Sequence, residues 1–337
     1  MANETVDHET QYCFPAINSS CIKGKHFRHE YYVIYMSLSL LSAWTAFLNL
    51  LVIISISHFK KLHTPTNLLI LSLAVADMLV GLIVMPMDGI RLIETCWYFG
   101  DTACGLFLIT ISSLLSVSLC NLVFIAVDRY MAVCHPLLYP QKITTTKTVL
   151  IICHGWCCSI MYNIALTVSN GFFEPLHRKD VCNGACTIII SFAWTVTDLF
   201  VSFLFPCILI TALYLRIFYI AQQQVKVINS IINSGKSVTE VSVKRKSERK
   251  AALTLGIIVT VYLFSWIPYY ICSFTGNTNT SSATLNALLW TMHINSGLNP
   301  LIYALFYPWF RKSVKQILTL RIFRPESSMT YFTDYHS

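Results

Sequence analysis

Residues 67 to 93 read NLLILSLAVADMLVGLIVMPMDGIRLI. From Asn67 to Pro86 the only ionisable side chain is Asp77. The stretch exceeds the roughly 20 apolar residues that a helix needs to cross about 30 Å of hydrocarbon. Six more stretches share this character: Tyr31–His58, Ala103–Cys134, Thr148–Ser169, Thr187–Ile220, Ala251–Phe274 and Thr284–Tyr307. They explain why a chain of 337 residues is 55% hydrophobic and only 12% charged, with a mean hydropathy of +0.59. A soluble domain carries about 25% charged residues and has too little interior to hide so much apolar surface. No alternating apolar pattern repeats often enough for a membrane barrel. The expectation is an all-α membrane protein, a bundle of seven transmembrane helices.

Seven is odd, so the termini lie on opposite sides. With the N-terminus outside, sixteen Lys and Arg fall in the inner loops and tail and two more, Arg129 and Arg216, sit at inner helix ends. Six face outward: Lys23, Lys25, Arg28, Arg91, Arg178 and Lys179. Eighteen against six is the bias expected of inner loops. The net charge of +8 is therefore read as facing cytosol and anionic lipid, and no nucleic-acid role is assigned to Val243–Lys250. No basic start and apolar core precede the first span, so that span is expected to act as the signal. Acceptor tripeptides for glycosylation begin at Asn3, Asn18 and Asn279, all on the outer side.

Thirteen cysteines are present. Cys13, Cys21, Cys104, Cys182 and Cys186 are the outer ones expected to oxidise, with Cys96 only near an outer end. A Cys104–Cys186 bridge would pin the loop before span five across the mouth of the bundle, leaving Cys182 to pair with Cys21 or Cys13. Cys153-His154-x-x-Cys157-Cys158 has the spacing of a zinc quartet but is read as small packing residues on span four. No cofactor and no structural or catalytic metal are expected.

Ionisable groups inside membrane helices are expensive and mark function. Asp77 lies mid-span, with Asn49, Asn295, Ser296 and Asn299 in reach, a set suited to a cation such as sodium. Asp128-Arg129-Tyr130 closes the inner end of span three. Glu248 begins span six, so an Arg129–Glu248 pair would act as a breakable latch. Pro86, Pro206, Pro268 and Pro300 each remove a helix hydrogen bond and introduce a kink. A kinked bundle over a polar core fits a switch. No inverted repeat or chain of acids points to a transporter. Neither His-Glu-x-x-His nor a pair of catalytic aspartates points to an enzyme, and none is expected.

In order and spacing, Leu73-Ala74-Val75-Ala76-Asp77, Asp128-Arg129-Tyr130, Trp156, Pro206 with Tyr214, Ser265-Trp266-Ile267-Pro268-Tyr269 and Asn299-Pro300-Leu301-Ile302-Tyr303 resemble the rhodopsin-like G-protein-coupled receptors. The run Asn295–Phe310, with His63-Thr64-Pro65-Thr66-Asn67, Cys96-Trp97-Tyr98-Phe99-Gly100 and Glu248-Arg249-Lys250-Ala251-Ala252, is similar to trace amine-associated receptors. The resemblance implies disulfides Cys21–Cys182 and Cys104–Cys186, and switch residues Asp128, Arg129, Tyr130, Tyr214, Glu248, Asn299, Pro300 and Tyr303. Departures are Leu48 where Gly is usual, Tyr262 for Phe, and His293 for an aromatic residue.

The largest departure concerns the amine anchor. Amine receptors place an Asp seven residues after the span-three Cys, where this chain has Ile111. Asp198 in span five, eight residues before Pro206, stands at pocket depth instead. The chain resembles a fish-expanded branch that lacks the first acid and carries the second. The implied pocket comprises Asp198, Trp266, Tyr269, Tyr270, Ile111, Ser112, Trp194, Thr195 and His293. Asp88 is a second acid that would hold the far end of a diamine unless Arg91, three residues on, neutralises it. In the alternative reading Asp198 is structural, bonded to Ser116, Thr195, water or His293, and the ligand is not an amine or the receptor not olfactory.

The resemblance further implies an olfactory-type receptor for volatile or biogenic amines that raises cyclic AMP through a stimulatory or olfactory G protein. Arrestin and receptor kinases are the partners it admits besides ligand, G protein and membrane lipid. The setting is the plasma membrane of olfactory cilia. Residues 1–30 form a glycosylated outer segment, 31–307 the bundle, and 308–337 an amphipathic helix and tail.

Overall fold

A computed structural model describes residues 11–24, 28–174, 181–233, 256–272, 282–324 and 327–329. Span one is α1 (Arg28–His58). Span two divides into α2 (Pro65–Leu79) and α3 (Met85–Glu94) around a wide π-type turn, Val80–Val84. Span three is α4 (Gly100–Cys134), the loop helix is α5 (Tyr139–Lys142), and span four is α6 (Thr145–Ser169). Span five is α7 (Phe192–Leu199) and α8 (Phe205–Asn233) around a second wide turn, Phe200–Leu204. Spans six and seven are α9 (Gly256–Cys272) and α10 (Ser282–Phe306), followed by α11 (Pro308–Leu318). The first five spans are long and apolar enough to cross a membrane.

Local chemistry sets the helix starts. Thr64 and Thr144 accept hydrogen bonds from the backbone of Asn67 and Lys147, capping α2 and α6, and Pro65 occupies the first turn of α2. The two wide turns immediately precede Pro86 and Pro206. A proline ring collides with the carbonyl four residues back, and one extra residue in the turn relieves that collision. The expected kinks are therefore realised there as π-turns. At Gly81, inside the first of them, a β-carbon would lie 2.9 Å from the Ala46 backbone nitrogen, and Ser42 Oγ donates to the Gly81 carbonyl at 2.6 Å.

α4 is the central helix, packed against α2, α6 and α8, while α1 packs against α2 and α10. The larger core gathers Leu73, Leu122, Ile210, Ile258, Trp266 and Tyr303 toward the middle and inner half. A second core around Met85, Trp97, Phe107 and Trp290 fills the outer half. Span five starts later than expected. Thr187–Ser191 are not helical, because Cys186 is tied to Cys104 and the Ser191 backbone donates to Asn170 Oδ1 at 2.8 Å.

Three disulfides close the outer face: Cys104–Cys186, Cys21–Cys182 and Cys13–Cys96. Cys21, not Cys13, takes Cys182. Cys96 is the correction, since its place near an outer helix end gave no sign of a partner 83 residues away. The N-terminal segment is thereby fastened over the bundle. Backbone pairing reinforces it, from Cys21 to the Asn183 carbonyl and from Trp97 to the Gly184 carbonyl.

Candidate ligand site and inner switch

Asp198 lies in the last turn of α7, half-buried. The wide turn that follows brings Ser202 back, so that its Oγ donates to Asp198 Oδ1 at 2.7 Å. Tyr162 of α6 donates its hydroxyl to the same oxygen from 3.1 Å. Among the described residues no Lys, Arg or His pairs with this carboxylate. Two neutral donors lessen the cost of a carboxylate at this depth but leave its charge uncompensated. The expected internal partners are corrected: Ser116 accepts from Asn163 at 3.2 Å, Thr195 is exposed and donates to the Ser191 carbonyl, and His293 lies beside Asp88. In the sequence, the four-residue spacing of Ser202 from Asp198 is a signal for that contact, while nothing marks Tyr162, 36 residues away.

Aromatic rings continue from this point inward. Trp194 meets Tyr162 edge-on at 6.3 Å. Tyr270 stacks on Phe203 at 4.3 Å and on Trp266 at 5.9 Å, and Trp266 stacks on Tyr262 at 5.4 Å. Residues 262, 266 and 270 recur every fourth position, so one face of α9 carries a column of rings. Tyr269 borders it, edge-on to Tyr270 at 5.7 Å. Ile111 packs half-buried in the outer core, while Ser112 is exposed.

Asp88 stands apart from Asp198. Arg91 Nη2 pairs with its Oδ1 at 2.6 Å and also donates to the Cys186 carbonyl, so a second ammonium would have to displace Arg91. His293 Nδ1 is 3.8 Å from Asp88 Oδ2, and its ring meets Trp290 edge-on. Below, Asp77 is 1% exposed and accepts from Asn299 Nδ2 at 2.7 Å and Ser118 Oγ at 3.3 Å. Asn49 bridges the carbonyls of Thr45 and Ser296. The Oδ1 atoms of Asn49 and Asn295 are buried without a donor among the described residues. One carboxylate among neutral oxygens fits a hard monovalent cation. No described cluster of His, Cys and acids fits a metal, and in the former zinc quartet only His154 and Cys158 approach, at 3.4 Å.

The sequence that folds into this bundle has close counterparts. The sequence model described as 7 transmembrane receptor (rhodopsin family) matches residues 48–303. The chain is 43% identical over 325 residues to trace amine-associated receptor 13c of Danio rerio, covering 95% of both chains. It is 41% identical to trace amine-associated receptor 8a of Rattus norvegicus, covering 96% of this chain and 97% of the relative. With trace amine-associated receptor 6 of Homo sapiens it shares 38% identity across 99% of both. The chain belongs to the trace amine-associated receptor family.

Membership makes it a multi-pass membrane receptor that passes a small-molecule signal to a heterotrimeric G protein, and not an enzyme. The receptor's inner end is held by Asp128. Thr66 donates to Asp128 Oδ2 at 2.7 Å, Tyr139 to Oδ1 at 2.8 Å, and Arg129 Nη2 pairs with Oδ2 at 2.6 Å while also bonding Thr66. Burial, with the adjacent Asp128 charge, pushes the Tyr139 hydroxyl up to about 12. Tyr130 rests its hydroxyl 3.4 Å from His135 Nε2. Glu248 and the Lys244–Lys250 run lie outside the described residues, and the Arg129 interactions described above run to Asp128 and Thr66. The hydroxyls of Tyr214 and Tyr303 are buried without a partner among the described residues, one turn beyond Pro300 in the second case. At the outer end Asn18 is exposed but the Ser20 hydroxyl of its tripeptide is buried, accepting from the Phe14 backbone at 2.8 Å. Asn3 and Asn279 lie outside the described residues.

Proposed function

We propose that the receptor detects volatile or biogenic amines through Asp198 and raises cyclic AMP through a stimulatory or olfactory G protein, in olfactory cilia. The carrying observation is a half-buried carboxylate with two neutral hydrogen-bond donors and, among the described residues, no cation beside it. An ammonium supplies the missing charge, and aromatic faces at Trp194 and Tyr270 add cation–π attraction. The ligand's engagement of α7 and α8 then biases the ring column of α9 through Phe203 and Tyr270, and the inner end of α9 swings outward. Opening frees Arg129 and gives the Tyr214 and Tyr303 hydroxyls partners they lack here. Sodium at Asp77, held with Ser118 and Asn295 oxygens, favours the closed form. Arrestin and receptor kinases act at the tail.

A second reading makes Asp198 structural, because Tyr162 and Ser202 already bond it. Asp198→Asn separates the two. The amide oxygen still accepts from both donors while the charge is gone. Under the amine reading, a cyclic-AMP assay against an amine panel shifts by about a hundredfold, roughly 3 kcal/mol of lost charge pairing, with surface expression unchanged. An unchanged dose–response curve assigns Asp198 to the fold and returns the ligand class to open screening. Chain-matched mono- and diamines are expected to respond alike, since Arg91 occupies Asp88.

A further inference from the structure

Both described hydrogen bonds to the Asp198 side chain end on the same oxygen. Tyr162 donates to Oδ1 from 3.1 Å and Ser202 from 2.7 Å, and among the described residues none donates to Oδ2. The two donors come from different elements. Ser202 lies in the wide turn Phe200–Leu204, and Tyr162 belongs to α6, its ring held edge-on to Trp194. An ionised carboxylate offers about two lone-pair sites on each oxygen. At Oδ1 both are taken, while Oδ2 stays open to an incoming donor. Asp198, Tyr162 and Ser202 are each half-buried, so a donor left without an acceptor there is only partly compensated by water.

We infer that Tyr162 and Ser202 are specificity-determining residues: by filling Oδ1 they restrict Asp198 to ligands that bond through a single N–H, and so select alkylammonium over alkylguanidinium. This rests on Asp198 being the amine anchor. An ammonium is a compact charge that needs one N–H on one oxygen. Primary, secondary and tertiary amines all carry one when protonated. A guanidinium is a flat fork whose parallel N–H groups match both oxygens of a carboxylate. Facing Asp198 it finds only Oδ2, so its second donor stays unpaired or has to displace Tyr162 or Ser202. Either outcome removes the bond that makes bidentate pairing strong. The pocket thus discriminates by an acceptor already in use, not by size.

The test measures binding to the purified full-length receptor, so that no G protein enters the readout. The probes are chain-matched pairs, each an n-alkyl or phenylethyl group carried once on an amine and once on a guanidine. In wild type the amine is expected to bind about tenfold tighter than its guanidine partner. In Tyr162→Phe/Ser202→Ala that preference is expected to vanish or invert, as the fork gains Oδ1. Tyr162→Phe keeps a ring beside Trp194, and each single variant is expected to show part of the change, so the result does not hang on the double variant folding. Equal affinities within pairs in wild type, or a preference that survives in all three variants, overturns the selection and leaves Asp198 as the anchor. No binding by either class, or binding that Asp198→Asn leaves untouched, overturns the amine reading and this inference with it.

Discussion

The outer and inner ends of this bundle are held by different chemistry. Outside, three disulfides tie the N-terminal segment and two loops to the helices, and Lys23 adds an ion pair to Glu94, which also accepts the hydroxyls of Tyr31 and Tyr35. Burial alone would lower the Lys23 ammonium, but the Glu94 hydrogen bond and charge outweigh it and hold its pKa above the usual value. Inside, the described contacts are non-covalent, among them the Arg129–Asp128 ion pair and the Thr66 and Tyr139 hydrogen bonds, and two tyrosine hydroxyls are buried with no partner among the described residues. Under the proposed mechanism the covalent rim keeps its links when a ligand enters, and the change is taken up at the end whose bonds can break and reform. Rigidity at one end is what makes motion at the other specific.

The sharpest way to break this contrast is to cut the rim. Cys104→Ser removes a link spanning 82 residues, and disulfides of this kind contribute about 2–5 kcal/mol. Most surface receptor is expected to disappear in a cell-surface immunoassay. Cys13→Ser removes one of the two links that hold the N-terminal cap, leaving Cys21–Cys182, and should keep most of it. Equal losses would mean the cap is as structural as the loop.

Next in size is the inner clamp. Tyr139→Phe or Thr66→Val removes one donor to the Asp128 charge, an interaction of about 1.5–3 kcal/mol. Basal cyclic AMP is expected to rise on the order of fivefold. The matching outer change, Tyr31→Phe, deletes a 2.6 Å bond to Glu94 and should leave basal signalling flat. A rise there would erase the distinction between the ends.

Smaller still is Tyr303→Phe. Its hydroxyl has no protein partner in this state, so thermal stability should move by less than about 0.5 kcal/mol. Under the proposed opening only the open form engages that hydroxyl, so maximal response should nevertheless fall. The smallest effect concerns pH. The Tyr139 pKa is raised from 10.0 to about 12, so its contribution is complete below the unfolded value and is lost only as pH climbs through the folded one. Nucleotide exchange in washed membranes, compared between wild type and Tyr139→Phe, should keep a constant ratio from about pH 6.5 to 8.5. A drifting ratio would place another titrating group in the clamp.

Much of this was legible from the chain alone. Mean hydropathy and the placement of Lys and Arg need no partner, so the span count, the sidedness and the class of bundle followed from local composition. Asp77, Asp128 and Asp198 stood out for the same reason: an acid among apolar residues is conspicuous wherever its neighbours lie. The late start of span five was not legible, since Thr187–Ser191 are apolar enough for a helix and the Cys104–Cys186 link with the Ser191–Asn170 hydrogen bond holds them out of one.

Partners belong to the tertiary structure. Cys96 for Cys13, Tyr162 and Ser202 for Asp198, Tyr139 for Asp128, and Arg91 in preference to any ligand for Asp88 each depend on distances of a few ångströms. Two of those pairs, Cys13–Cys96 and Tyr162–Asp198, are 83 and 36 residues apart along the chain. Hydrophobic burial is additive along a sequence and can be summed residue by residue. A hydrogen bond or an ion pair exists only when packing has brought both ends together, and that decision is made by the folded bundle.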